Sequence, residues 1–149
     1  MKKTLFLIKL LIIYLFFVSN TFADKTKYFS EGKILFDKKE FEKSKNFFEK
    51  DIVFNPKSEK SYIYLAKIFE RNDSTHEQEM NLNNVLLLNP QNDEALYMLA
   101  LLKIKQSDYK QAKDLIKKFD LVCESFCHKK AEILEKFNKL TPENVTDNN

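Results

Sequence analysis

The sequence has 149 residues, with 25 Lys+Arg against 22 Asp+Glu for a formal net charge of +3, one Gly, three Pro, two Cys and no Trp. So few chain breakers exclude a sandwich or barrel, which needs many tight turns, and leave an all-helical chain. The small positive balance does not mark a nucleic-acid or anionic-membrane partner.

Met1-Lys2-Lys3 is followed by an apolar stretch from Leu5 to Val18 that only Lys9 interrupts, then Thr21-Phe22-Ala23. A basic start, a short apolar core and small residues at the end predict a secretory signal over residues 1–23, cleaved after Ala23. The rival reading is a retained anchor. The unbroken run Leu10 to Val18 is nine residues, less than half of the roughly 20 that span a bilayer, so no stable membrane insertion is expected after cleavage. Cleavage removes Lys2, Lys3 and Lys9 and no acid, so the mature chain has 25 − 3 = 22 basic residues against 22 acidic ones. The 149 − 23 = 126 residues left suffice for one domain with a modest core.

From residue 25 onward apolar positions recur at helical spacing, and the pattern repeats every 34 residues. In residues 25–58, Tyr28, Phe29, Gly32, Leu35 and Phe36 form one helix face. Asp37 to Glu40 resembles a capping box with Asp37 as N-cap. Phe41, Ser44, Phe47, Phe48, Ile52 and Phe54 line a second helix that Asn55-Pro56 closes. Residues 59–92 repeat this with Tyr62, Leu65, Ala66 and Phe69, a turn at Asn72-Asp73-Ser74, then Met80, Leu82, Val85, Leu86 and Leu88 before Asn89-Pro90. Residues 93–126 keep Leu96, Leu99, Ala100, Tyr109, Ala112, Ile116 and Phe119, but Glu124 stands where the closing Pro belongs. A helix over about 128–140, with Ala131, Ile133, Leu134, Phe137 and Leu140 apolar, suits a terminal cap, and the polar tail 141–149 reads as disordered.

The chain resembles the tetratricopeptide repeat family in three units. Tyr28, Gly32, Phe41, Phe48 and Pro56 carry the resemblance in the first, Tyr62, Leu65, Ala66, Phe69 and Pro90 in the second, and Leu99, Ala100, Tyr109 and Ala112 in the third. It implies an α-solenoid over residues 24–140 of three helix-turn-helix repeats plus a capping helix. Gln78 and Thr75 depart from the pattern, so the second helix of the middle unit fits least well.

The resemblance also implies a concave groove lined by the first helices of successive units, where a protein or peptide partner binds. Phe29, Lys33 and Phe36 fall on that stripe in the first unit, Lys60, Ile63 and Lys67 in the second, and Tyr97, Leu101 and Ile104 in the third. Apolar anchors interleaved with Lys suit a peptide with hydrophobic and acidic side chains. The alternative is that several of them, Phe36 and Ile104 above all, are core between units.

Cys123 and Cys127, an even pair in an exported chain, read as a disulfide, with two free thiols as the bland alternative. With His128 they come near a haem-attachment pattern, but three residues separate the Cys instead of two. Two Cys and one His leave a structural zinc shell incomplete. No cofactor or metal is therefore expected. His76 reads as a solvated surface residue, and no catalytic set can be drawn, so no enzyme is expected. The expectation is a binding module of the bacterial periplasm, with a self-associating structural protein as the alternative.

Overall fold

The structure is a computed structural model that describes residues 25–140; the expected signal segment 1–23 and the tail 141–149 lie outside the described residues. Seven α-helices follow in order: α1 Lys25–Asp37, α2 Phe41–Phe54, α3 Glu59–Arg71, α4 Thr75–Leu88, α5 Asp93–Lys105, α6 Tyr109–Val122 and α7 Lys130–Leu140. A 3-10 turn, Cys127–Lys129, precedes α7, and no strand occurs among the described residues. The starts of α1, α3 and α5, and those of α2, α4 and α6, are each 34 residues apart. The sequence period is therefore a period of structure.

The chain divides into two compact units between Pro56 and Lys57. In the first, α1 packs on α2. In the second, α3 packs on α4, α5 on both α4 and α6, and α7 on α5 and α6. The core of the second unit runs from Ile63 and Ala66 through Leu82, Leu96 and Leu99 to Phe119, Ile133 and Phe137.

Within the first unit the only glycine of the chain sits at the helix crossing. A Cβ on Gly32 would lie 2.9 Å from Cε1 of Phe48 and 3.2 Å from Cβ of Phe47. Phe48 is fully buried, so its ring has nowhere to retreat. Ser44 on α2 donates its hydroxyl to the Gly32 carbonyl at 2.8 Å, a contact that needs the two backbones close. Rings complete the pair: Phe29 meets Phe48, Phe36 meets Phe41 edge-on, and Tyr28 stacks on Phe54. One period later Ala66 and Leu82 are buried, and one period further Ala100 and Ile116. The small partner grows by a methyl as the large one shrinks from an aromatic to an aliphatic side chain.

The turns inside each helix pair are also periodic. Lys39, Asp73 and Ser107 have φ of 64°, 57° and 60°, the left-handed region. Around them the next N–H reaches back over the turn, from Glu40 to the Leu35 carbonyl, Ser74 to Phe69 and Asp108 to Lys103, each at 2.9 Å. This is the Schellman pattern of helix termination. It overturns the expected capping box. α1 continues through Asp37, whose carboxylate holds Lys33 at 2.6 Å. The N-cap of α2 is Glu40, with no side-chain cap bond and its own carboxylate on Lys43. A two-residue turn leaves no room for Asp37 to be the cap.

The expected second helix of the middle pair is present, and the start of the terminal helix differs from the sequence reading. The second helix of the middle pair, the poorest family match, is a full 14-residue helix that buries Leu82 and Val85 and also Gln78 and Asn81. Asn81 satisfies its amide by donating to the Glu77 carbonyl at 2.7 Å. The terminal helix begins at Lys130 instead of His128, because the chain before it is held in a 3-10 turn closed by Lys129 N–H to the Phe126 carbonyl.

The close fit at Gly32 makes a specific expectation. Gly32→Ala gains about 1 kcal/mol of helix propensity, but overpacking against Phe48 costs about 1–3 kcal/mol, so the variant should be less stable. On a Phe48→Leu background the same change should become neutral or stabilising. Chemical denaturation of the four proteins of this cycle measures the coupling, and additive effects would reject it.

Candidate partner-binding surface

In the second unit one face of α3, one of α5 and the start of α7 carry a chain of polar contacts. Lys67 on α3 reaches Glu94 on α5 at 2.6 Å, and its ammonium lies 5.0 Å from the centre of the Tyr64 ring. Tyr97 on α5, only 7% exposed, donates its hydroxyl to Glu132 on α7 at 3.0 Å. Lys129 and Lys136 also donate to Glu132, at 2.8 and 3.0 Å. Those hydrogen bonds, from Lys129 first and then Lys136 and Tyr97, lower the Glu132 carboxyl to about 2. Burial, with Glu132 beside it, raises the Tyr97 phenol well above its ordinary range, so it stays a donor.

A second set of acids fixes the turns between helix pairs. Glu59, the first residue of α3, accepts from the side-chain amides of Asn89 and Asn92, both at 3.1 Å. One period on, Asp93 opens α5 and accepts from the backbone N–H groups of Glu124 and Phe126 at 2.9 and 2.8 Å. Burial opposes the charge on Asp93, but the N–H groups of Phe126, Glu124, Ser125 and Glu94 outweigh it and lower its pKa. Ahead of its proline Asn89 is extended, with φ of −142°, and Asn55 has a non-helical φ of −133°. Cys123 takes the same register without a proline, and its bond to Cys127 closes the turn instead.

No protein-family model matches this sequence, and no curated protein sequence matches it. Solved structures do. The chain is similar to a chain of the TPR2B-domain:pHsp70 complex of yeast Sti1, at 16% identity and a TM-score of 0.71, covering 78% of this chain and 98% of that one. It is similar to the Arabidopsis OM64 TPR domain at 16% identity and a TM-score of 0.72, covering 80% and 98%. The Sgt2 TPR domain from Aspergillus fumigatus gives 16% and 0.66, covering 85% and 91%. The fold is that of the tetratricopeptide repeat.

On this tetratricopeptide framework the nine residues of the expected stripe have different environments. In the first unit Lys33 is exposed and paired with Asp37, while Phe29 and Phe36 are half-buried against Phe48 and Phe41. In the second unit Ile63, Tyr97 and Ile104 are buried in the core, at 4%, 7% and 4% exposure. Lys60 is exposed, and Lys67 and Leu101 are half-buried. The surface part of the stripe is therefore more polar than the sequence pattern suggested. Glu94 and Glu132 escaped the sequence reading although they hold its lysine and its tyrosine. Glu94 was within reach of it, because it stands one period after Lys60.

The third tetratricopeptide pair has a buried lysine where an aromatic residue stands one period earlier. Lys103, 7% exposed, occupies the register of Phe69 and donates to Glu79 on α4 at 2.6 Å. Gln106 gives Glu79 a second donor at 3.2 Å. The Lys103 hydrogen bond is the chief reason that the Glu79 pKa is lowered.

The depressed carboxylates fix a pH dependence. A group whose folded pKa is lowered contributes stability above its unfolded value and loses it as pH falls through the folded value. For Glu132 the window runs from 4.5 down to about 2. Its side chain is 37% exposed, so solvent screens the effect and the slope is the quantity to read. Glu132→Gln should flatten the fall of melting temperature between about pH 5 and about pH 2. A variant whose slope matches the parent would contradict this.

Proposed function

We propose that this chain is a protein-binding module, exported to a bacterial periplasm with its leader removed after Ala23, that holds a peptide segment of its partner. The observation that carries the reading is the periodic helix-pair framework, on which Lys60 is exposed and Lys67 and Leu101 are half-buried in the second unit. The yeast structure that it resembles is of a TPR domain in complex with pHsp70. Lys67 and Lys129 pair with Glu94 and Glu132, and the reading has them exchange these carboxylates for an acidic side chain of a peptide. Resemblance to exported members of the family favours a role in an envelope assembly.

A test combines both halves of the proposal. Tagged protein expressed in a bacterial host should mature to a chain beginning at Asp24 and capture a partner from envelope extract. Lys60→Glu with Leu101→Ala should weaken capture about tenfold, with the cooperative unfolding transition kept. Lys67 is a poorer choice, because reversing it would set a like charge against Glu94. Capture that survives the double change rejects this surface, and a mature chain that keeps residues 1–23 rejects export by cleavage.

A second reading has its own observation. Val53, Leu87 and Leu121 are 73%, 81% and 85% exposed and lie 34 residues apart, so each helix pair presents an aliphatic side chain to solvent at the same register. Self-association would cover them. Sizing chromatography over a wide concentration range should show concentration-dependent size if this holds, and a constant monomer removes it.

A further inference from the structure

The disulfide between Cys123 and Cys127 lies in the link between α6 and α7. Cys123 is half-buried and packs on the core of the second unit, while Cys127 is exposed. The bridged segment carries the two N–H groups that hold Asp93, and the ring of Phe126 lies 6.0 Å from that of Tyr97. Tyr97 in turn holds Glu132 on α7. The terminal helix has 11 residues, too few to be stable unsupported. Apart from the link, it is held by buried Ile133 and Phe137, by the edge-on contact of Phe137 with Tyr109, and by the pair Lys130–Asp120.

We propose that the Cys123–Cys127 disulfide is a redox latch on the terminal helix, opened by a dithiol reductant that attacks the sulfur of Cys127, the more exposed residue of the pair. A thiolate of the reductant displaces Cys123 as the leaving thiolate and forms a mixed disulfide with Cys127. The second thiol of the reductant then attacks its own half of that bond and releases Cys127. Two electrons pass from the dithiol, which ends as a disulfide, and two protons end on the chain's thiols. While the bond is closed, the link has little freedom to gain when α7 undocks. Opening it raises the undocking equilibrium by about 30-fold, the factor that corresponds to closing so short a loop. Undocking uncovers Ile133, Phe137 and the ring of Tyr109. The latch works whatever partner the surface holds, because its parts lie in the link and the cap.

Hydrogen exchange of the full chain, oxidised and after dithiothreitol, reads the latch. Amides of residues 130–140 should lose about 30-fold in protection on reduction, those of α3 and α4 should keep theirs, and binding of an apolar dye should rise. Unchanged protection over 130–140 would overturn the proposal. Equal loss in α3 and α4 would overturn it too, since the bond would then support the whole unit. Cys123→Ser with Cys127→Ser should behave as the reduced protein without reductant and should not respond to it. A double variant as protected as the oxidised chain counts against the latch. To test the order of attack, a dithiol oxidoreductase lacking its second cysteine should be trapped on Cys127; trapping on Cys123 reverses the assignment.

Discussion

The close crossing of the two helices in each pair is the constraint on which the rest depends. Helices approach to within hydrogen-bonding distance of each other's backbone only where a side chain is nearly absent. Gly32 provides that in the first pair, and Ser44 uses the space to reach its carbonyl. With the crossing point fixed, each helix can turn its bulky residues inward at only a few registers. Phe48 in the first pair, and Leu82 and Ile116 in those that follow, are the residues at one of them. The chain has a single glycine and places it at this crossing, while the left-handed turns at Lys39, Asp73 and Ser107 are left to residues that adopt that conformation less readily.

The second level of order joins one pair to the next, and here charge works together with packing. Glu59 and Asp93 sit in the first turn of their helices, where a carboxylate also suits the helix dipole, and each reaches the turn that comes one period later. Lys67 with Glu94 ties α3 to α5, and Tyr97 with Glu132 ties α5 to the terminal helix. The face where a partner is proposed to bind is thus built from contacts that also hold the second unit together.

Much of the fold was legible because its signals are local. Helical spacing marks each element, and the offsets from Tyr28 to Tyr62 or Phe54 to Leu88 mark the period. The turn before α2 misled because Asp37 and Glu40 have the residue types of a capping box, and only the backbone shows that α1 has not yet ended at Asp37. The stripe of expected partner residues follows helical spacing, but spacing does not tell how deep a residue lies. Ile63, Tyr97 and Ile104 lie on the same stripe as exposed Lys60 but belong to the buried core of the second unit, where α4, α6 and α7 pack on α3 and α5 from elsewhere in the sequence. The pairing of Lys103 with Glu79 was beyond reach for the same reason: 24 residues separate them, and no spacing rule links a buried lysine to an acid on the preceding helix.

The reach of Glu59 and Asp93 makes each period a cassette. Residues 59–92 contain both halves of one such contact, the acid at the start and the Asn89 and Asn92 amides at the end. A second copy of that segment inserted after Asn92 would bring its own acid and its own amides for this contact. Growth of the chain by whole periods at that boundary therefore leaves these turn contacts intact, whereas an insertion inside residues 59–92 or 93–126 lengthens the span between an acid and the turn that it holds.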